Sequence, residues 1–146
     1  MIRILLADDH EESRRLIRRL VTGHQNIDII AEASNGKETI DLTQQWKPDV
    51  LVIDITMPMM NGMDATTLLT ARIPGLKVIT LTGHADIAYI QGMLQAGALG
   101  YVLKSDMFED LIPAIVNVAA GKRYFSITIQ HTLASSSHPS SLSTTM

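Results

Sequence analysis

Five polar residues stand at the ends of apolar runs. Asp8 and Asp9 follow IRILLA, Asp54 follows DVLVI, Thr82 closes LKVITLT, and Lys104 follows LGYVL. Carboxylates brought together in this way repel one another by several kcal/mol unless a cation or a proton intervenes. An all-oxygen cluster suits hard Mg2+ or Mn2+ better than zinc. The expected chemistry is therefore that of a divalent cation held between acidic groups, with a hydroxyl and an ammonium close by.

For these residues to meet, the apolar runs must lie side by side. The runs begin at Ile2, Ile27, Asp49, Leu76 and Leu99, each a strand plus a helix from the next. Parallel strands buried on both faces read as continuous Val/Ile/Leu stretches, and the intervals hold crossover helices. A five-stranded, doubly wound α/β sheet follows. In such a sheet ligands bind outside the carboxyl ends of the strands, where Asp8, Asp9, Asp54, Thr82 and Lys104 all fall.

Two helices bear on surface function. The first, over Glu11 to Thr22, sets Leu16, Ile17, Leu20 and Val21 on one face against Glu11 and four arginines on the other. Those arginines read as a solvated face, supported by Glu11 and Arg15 at i,i+4, or as a docking face for a partner. The helix from about Met107 to Ala120 has no charged residue from Leu111 onward, and Pro113 inside it predicts a kink. Its expected outer face is Pro113, Ala114, Asn117 and Ala120, small and uncharged, which suits a homodimer contact. Beyond Gly121 the periodicity ends, and residues 134–146 hold no Asp, Glu, Lys or Arg. That segment reads as a flexible Ser/Thr-rich linker, expected to be either a natural tail or a cut made just before another domain.

Composition narrows the classes. The 146 residues suit one domain, and 46% hydrophobic residues suffice for its core. A formal charge of -3, from 12 Lys+Arg against 15 Asp+Glu, gives no chain-wide basic field for nucleic acid or anionic lipid. The absence of cysteine removes disulfides, thiolate nucleophiles and Cys-ligated metal centres, and suits a reducing cytoplasm. No apolar stretch approaches the ~18 residues of a membrane span. The five histidines lack zinc-ligand spacing. The expectation is a cytoplasmic protein with no membrane partner and no direct grip on DNA.

Asp8-Asp9, Asp54 followed by Met57-Pro58 and Gly62, Thr82-Gly83, and Gly97-Ala98-Leu99-Gly100-Tyr101-Val102-Leu103-Lys104 together resemble the receiver domain of two-component response regulators. The opening Ala-Asp-Asp-His and the Lys104-Ser105-Asp106 ending look most like the NarL-type subfamily, whose receivers usually precede a LuxR-type helix-turn-helix. The resemblance covers residues 1–123, leaving 124–146 as linker or tail. It implies a flavodoxin-like sheet in the order 2-1-3-4-5, and a phosphoacceptor switch rather than an enzyme acting on a foreign substrate. It further implies that Asp54 accepts phosphate from a sensor histidine kinase. Asp9, Asp54 and the carbonyl of Thr56 would hold Mg2+ (or Mn2+), with Asp8 assisting through a water. Lys104 would pair with Asp54 and then with the phosphoryl group, Thr82 would follow the phosphoryl oxygen, and Tyr101 would swing inward behind it. DNA binding would belong to a domain beyond this chain.

Singly, each residue has a plainer role: aspartates after strands are turn and N-cap residues, Lys104 a solvated charge, Thr82 a cap before Asp86, Tyr101 sheet packing. Their joint placement favours the site. A phosphohydrolase of haloacid-dehalogenase type would want a second aspartate where Thr56 stands, and an unphosphorylated interaction domain would not need all five residues. His84 lies two residues after Thr82, either as an exposed loop residue or beside the hydrolytic water. Asn61 replaces the usual acidic residue before Gly62, which affects loop capping. Ser105 replaces a common cis-proline; a non-proline cis bond costs ~3 kcal/mol, so a trans bond and a rearranged loop are expected there.

Overall fold

The fold is described from a computed structural model, which describes residues 1–144, with side chains through Ser136. Strands β1 (Ile2–Ala7), β2 (Ile27–Ala33), β3 (Val50–Ile53), β4 (Lys77–Thr82) and β5 (Gly100–Leu103) alternate with helices. These helices are α1 (Glu11–Thr22), α2 (Gly36–Trp46), α3 (Gly62–Arg72), α4 (Ile87–Ala96) and α5 (Met107–Ala119), the last entered through a 3-10 turn at Lys104–Asp106. The expected α/β alternation is observed. The sheet order is 2-1-3-4-5-6, and every neighbouring pair is parallel.

The sixth strand corrects the expected five. Tyr124–Phe125 (β6) pairs with Gly100 and Tyr101 of β5, and helix α6 (Ile127–Thr144) follows. The linker expected over 124–146 is thereby corrected for residues 124–136, and the side chains of 137–146 lie outside the described residues. Charge-poor sequence becomes ordered here because its polar groups find partners elsewhere. Asp106 accepts hydrogen bonds from Thr128 N (3.1 Å) and Thr128 Oγ1 (3.0 Å), and Asp110 accepts from Ile127 N (3.2 Å) and Tyr124 OH (2.7 Å). Carboxylates from α5 and the turn before it thus cap the start of α6, where the exposed backbone N–H groups favour negative charge.

Strand residues alternate between two cores. Leu5, Leu51, Ile53, Val78 and Tyr101 face α2, α3, α4 and the buried Ile129 of α6, whereas Ile4, Leu6, Val50, Val52, Leu81 and Val102 face α1 and α5. Period-two alternation in strands covered on both faces leaves apolar side chains on each side.

The helix faces depart from expectation in detail. On α1 only Ile17 and Val21 are buried, and Leu16 is 39% exposed. On α5, Ala114 is buried and not outward, while Val116 is 50% and Phe108 63% exposed. Pro113 is carried inside α5, which runs without interruption.

Burial alone would raise the pKa of Asp106, but hydrogen bonds from Ser126 and Thr128 outweigh it and hold the carboxyl below the ordinary aspartate value. A depressed pKa contributes stability above the unfolded-state value and loses it as pH falls through the folded one. We expect Asp106→Ala to cost about 1–3 kcal/mol at neutral pH, with the deficit shrinking as pH falls below about 3.9. Urea unfolding across pH, with amide exchange at Thr128, checks this.

Candidate functional site

The carboxyl ends of β1, β3, β4 and β5 converge as the strand order requires. Backbone bonds extend the ladder past the strand ends: Asp8 N donates to Ala33 O and Asp54 N to Ala7 O, both at 3.0 Å. Both aspartates are therefore fixed by the sheet and buried, Asp54 being only 4% exposed. Gly62 lets the loop after β3 fold over them, since a Cβ at that position would lie 2.0 Å from the Asp54 carbonyl oxygen. Asn61 caps α3 by accepting from Asp64 N at 2.9 Å.

Every oxygen of Asp54 has a donor. The Thr82 hydroxyl donates to Oδ1 at 2.7 Å, and Lys104 Nζ donates to Oδ2 at 2.8 Å. The same ammonium lies 2.8 Å from Asp8 Oδ2 and 3.3 Å from Ser13 Oγ. Lys104 is therefore shared between two buried carboxylates. Burial alone would lower its pKa, yet the hydrogen bonds and charges of Asp54 and Asp8 prevail and hold it above the usual lysine value. The Lys104–Ser105 bond is trans, as expected, and the 3-10 turn starting at Lys104 still delivers the ammonium.

Asp8, Asp9, His10 and Asp54 each offer a ligand atom within 4.8 Å of the others. Asp9 Oδ1 is buried and accepts no hydrogen bond, although His10 Nδ1 stands 3.0 Å away. Thr56 adjoins this group, its N–H reaching Asp54 Oδ1 at 3.4 Å. The donor set fits a hard divalent cation by its carboxylate oxygens.

Tyr101 stands inward and fully buried, its hydroxyl donating to the His84 carbonyl at 2.6 Å. Burial, and then the charge of Asp54, push its phenol pKa up. His84 is more than an exposed loop residue: its Nε2 is 2.8 Å from Thr56 Oγ1, and its ring stacks on Tyr89 with centroids 4.5 Å apart. Sequence reasoning missed His10 and Ser13, whose side chains turn toward the site from the start of α1. The Asp-Asp-His run was the available signal for His10. The arginine face also differs: Glu11 pairs with Arg14 and Arg18, not Arg15, and both arginines bond Glu32 on β2 at 3.2 and 2.6 Å.

A buried aspartate thus ends the third strand, held between a hydroxyl and an ammonium beside further carboxylates. Residues 4–116 match the family described as "Response regulator receiver domain", and the chain belongs to it. It is similar to LuxR-family, NarL-type regulators, as the sequence resemblance implied. The transcriptional regulatory protein DegU of Brevibacillus brevis is 35% identical over 132 residues, 90% of this chain and 56% of that protein. The response regulator GacA of Pseudomonas aeruginosa is 34% identical over 134 residues, 92% of this chain and 63% of GacA. A LuxR-family two-component response regulator from Aurantimonas sp. SI85-9A1 superposes with a TM-score of 0.89 at 32% identity, covering 93% of this chain and 97% of that one. The chain thus spans less than two thirds of the length of these two curated relatives.

Lys104→Met should leave Asp8 and Asp54 facing each other without their shared counter-charge. We expect a loss of about 2–3 kcal/mol at pH 7. Chemical denaturation of both proteins measures it; a Lys104→Met variant as stable as wild type would show that the shared counter-charge is not what Lys104 supplies.

Proposed function

We propose that this chain is the phosphoacceptor input of a transcriptional response regulator, taking a phosphoryl group from a sensor histidine kinase onto Asp54. The observation that carries the reading is the placement of Asp54, whose oxygens meet Thr82 and Lys104 while Asp8 and Asp9 stand beside it. The carboxylate oxygen attacks phosphorus, the P–N bond of the donor phosphohistidine breaks, and the imidazole leaves with its electron pair. Asp9, Asp54 and the carbonyl of Thr56 would hold Mg2+, with Asp8 assisting through a water; bound there, the ion neutralises charge on the transferring oxygens.

The protein's own groups do the rest. Lys104 moves its hydrogen bond from Asp54 to a phosphoryl oxygen, and the Thr82 hydroxyl follows the same group. Tyr101, already inward, packs behind Thr82 and ties that movement to the loop carrying His84. The chain acts on itself alone, as a switch and not as an enzyme with a foreign substrate. Thr56 in place of a second aspartate disfavours a haloacid-dehalogenase-type hydrolase, and the complete set Asp8, Asp9, Asp54, Thr82 and Lys104 disfavours a silent interaction domain.

Output then follows from surfaces. Phe108, Pro113 and Val116 of α5, Ala120 at its C-cap and Leu16 of α1 are exposed, and these apolar residues suit contact with a second copy of the chain. DNA binding would belong to a domain beyond this chain, whose formal charge of -3 supplies no chain-wide basic field for nucleic acid. Cytoplasmic placement accords with these partners, and among the described residues no helix is long and apolar enough to cross a membrane.

Incubation with a small phosphodonor and Mg2+, read by intact mass, tests the reading. Wild type should gain one phosphoryl group, about 80 Da heavier by the chemistry of an acyl phosphate, and Asp54→Asn none. Labelling of Asp54→Asn at the wild-type level would refute the assignment.

A further inference from the structure

His10 is the one nitrogen donor in an otherwise all-oxygen cluster, and its position has a geometric meaning. Its backbone is extended at the N-cap of α1 (φ −96°, ψ 113°), and its side chain makes no capping bond. Instead its N–H donates to Asp8 Oδ1 at 2.9 Å, and the ring folds back so that Nδ1 lies 3.3 Å from Asp8 Oδ1 and 3.0 Å from Asp9 Oδ1. Adjacent ligands about 2.1 Å from one octahedral ion are about 3.0 Å apart, so these separations match neighbouring corners of one coordination shell.

The carboxylate oxygens are divided accordingly. Lys104 occupies Asp8 Oδ2 and Asp54 Oδ2, leaving Asp8 Oδ1 and the hydrogen-bond-free Asp9 Oδ1 toward the imidazole. In the tautomer with its proton on Nε2, the Nδ1 lone pair is available to an ion. Imidazole nitrogen suits late first-row divalent ions, whereas Mg2+ takes oxygen.

We propose that His10 is a specificity-determining ligand of the acidic site, selectively strengthening its hold on late first-row ions such as Ni2+, Co2+ and Zn2+ relative to Mg2+. The proposal rests on the reading of the acidic cluster as a cation site. It adds a selectivity that the oxygen ligands alone do not supply.

Calorimetric titration of the untagged chain with Ni2+ and with Mg2+ tests it, using wild type, His10→Ala, His10→Gln and the distant control His24→Ala. Both His10 variants should weaken Ni2+ binding at least about tenfold, shift Mg2+ binding by less than about twofold, and keep the wild-type circular dichroism. His24→Ala should match wild type. Unchanged Ni2+ affinity in either His10 variant, or an equal loss for both ions, overturns the role of His10 while leaving the cation site standing. Failure of wild type to bind either ion overturns both.

Discussion

Lys104 carries the counter-charge on which the site depends. Two buried carboxylates, Asp8 and Asp54, cannot both stay ionised at close quarters without a cation, and each has an oxygen 2.8 Å from the same ammonium. The requirement reaches backward into the fold. The ammonium arrives only because β5 lies beside β4 and β4 beside β3, and the turn after β5 begins at Lys104 itself. Parallel topology thus supplies the site with charges from distant points of the chain, and the site's neutrality in turn allows those strand ends to stay buried.

Around that pair, close approach of backbone does the positioning. The loop after β3 passes so near Asp54 that only a residue without a Cβ fits at Gly62. On the other side, Ser126 N donates to Tyr101 O at 3.0 Å, and Leu103 N donates to Ser126 Oγ at 3.1 Å. The start of α6 is consequently tied to the strand that carries Tyr101 and leads into Lys104.

Much of this was legible in the sequence because the signals were local. Strands buried on both faces read as apolar runs, and the polar residues ending them had to share one edge of the sheet. Lys104 reached Asp54 as expected even with Ser105 where proline is common. The failures share a cause in distant partners. β6 and α6 read as linker because their caps, Asp106 and Asp110, belong to another element, and Arg14 and Arg18 bond Glu32 on β2 as well as Glu11 on their own helix. Ala114 is buried where an outward position is expected, because from Leu111 onward α5 carries no charged residue to mark which side is covered.

The shared ion pair is most directly tested by nitrogen-15 NMR of the Lys104 side-chain ammonium in the metal-free protein. A slowly exchanging ammonium, with couplings across its hydrogen bonds to the carboxyl carbons of both Asp8 and Asp54, is the predicted result. An ammonium exchanging as fast as that of an exposed lysine, with no coupling to either carboxylate, would contradict the account.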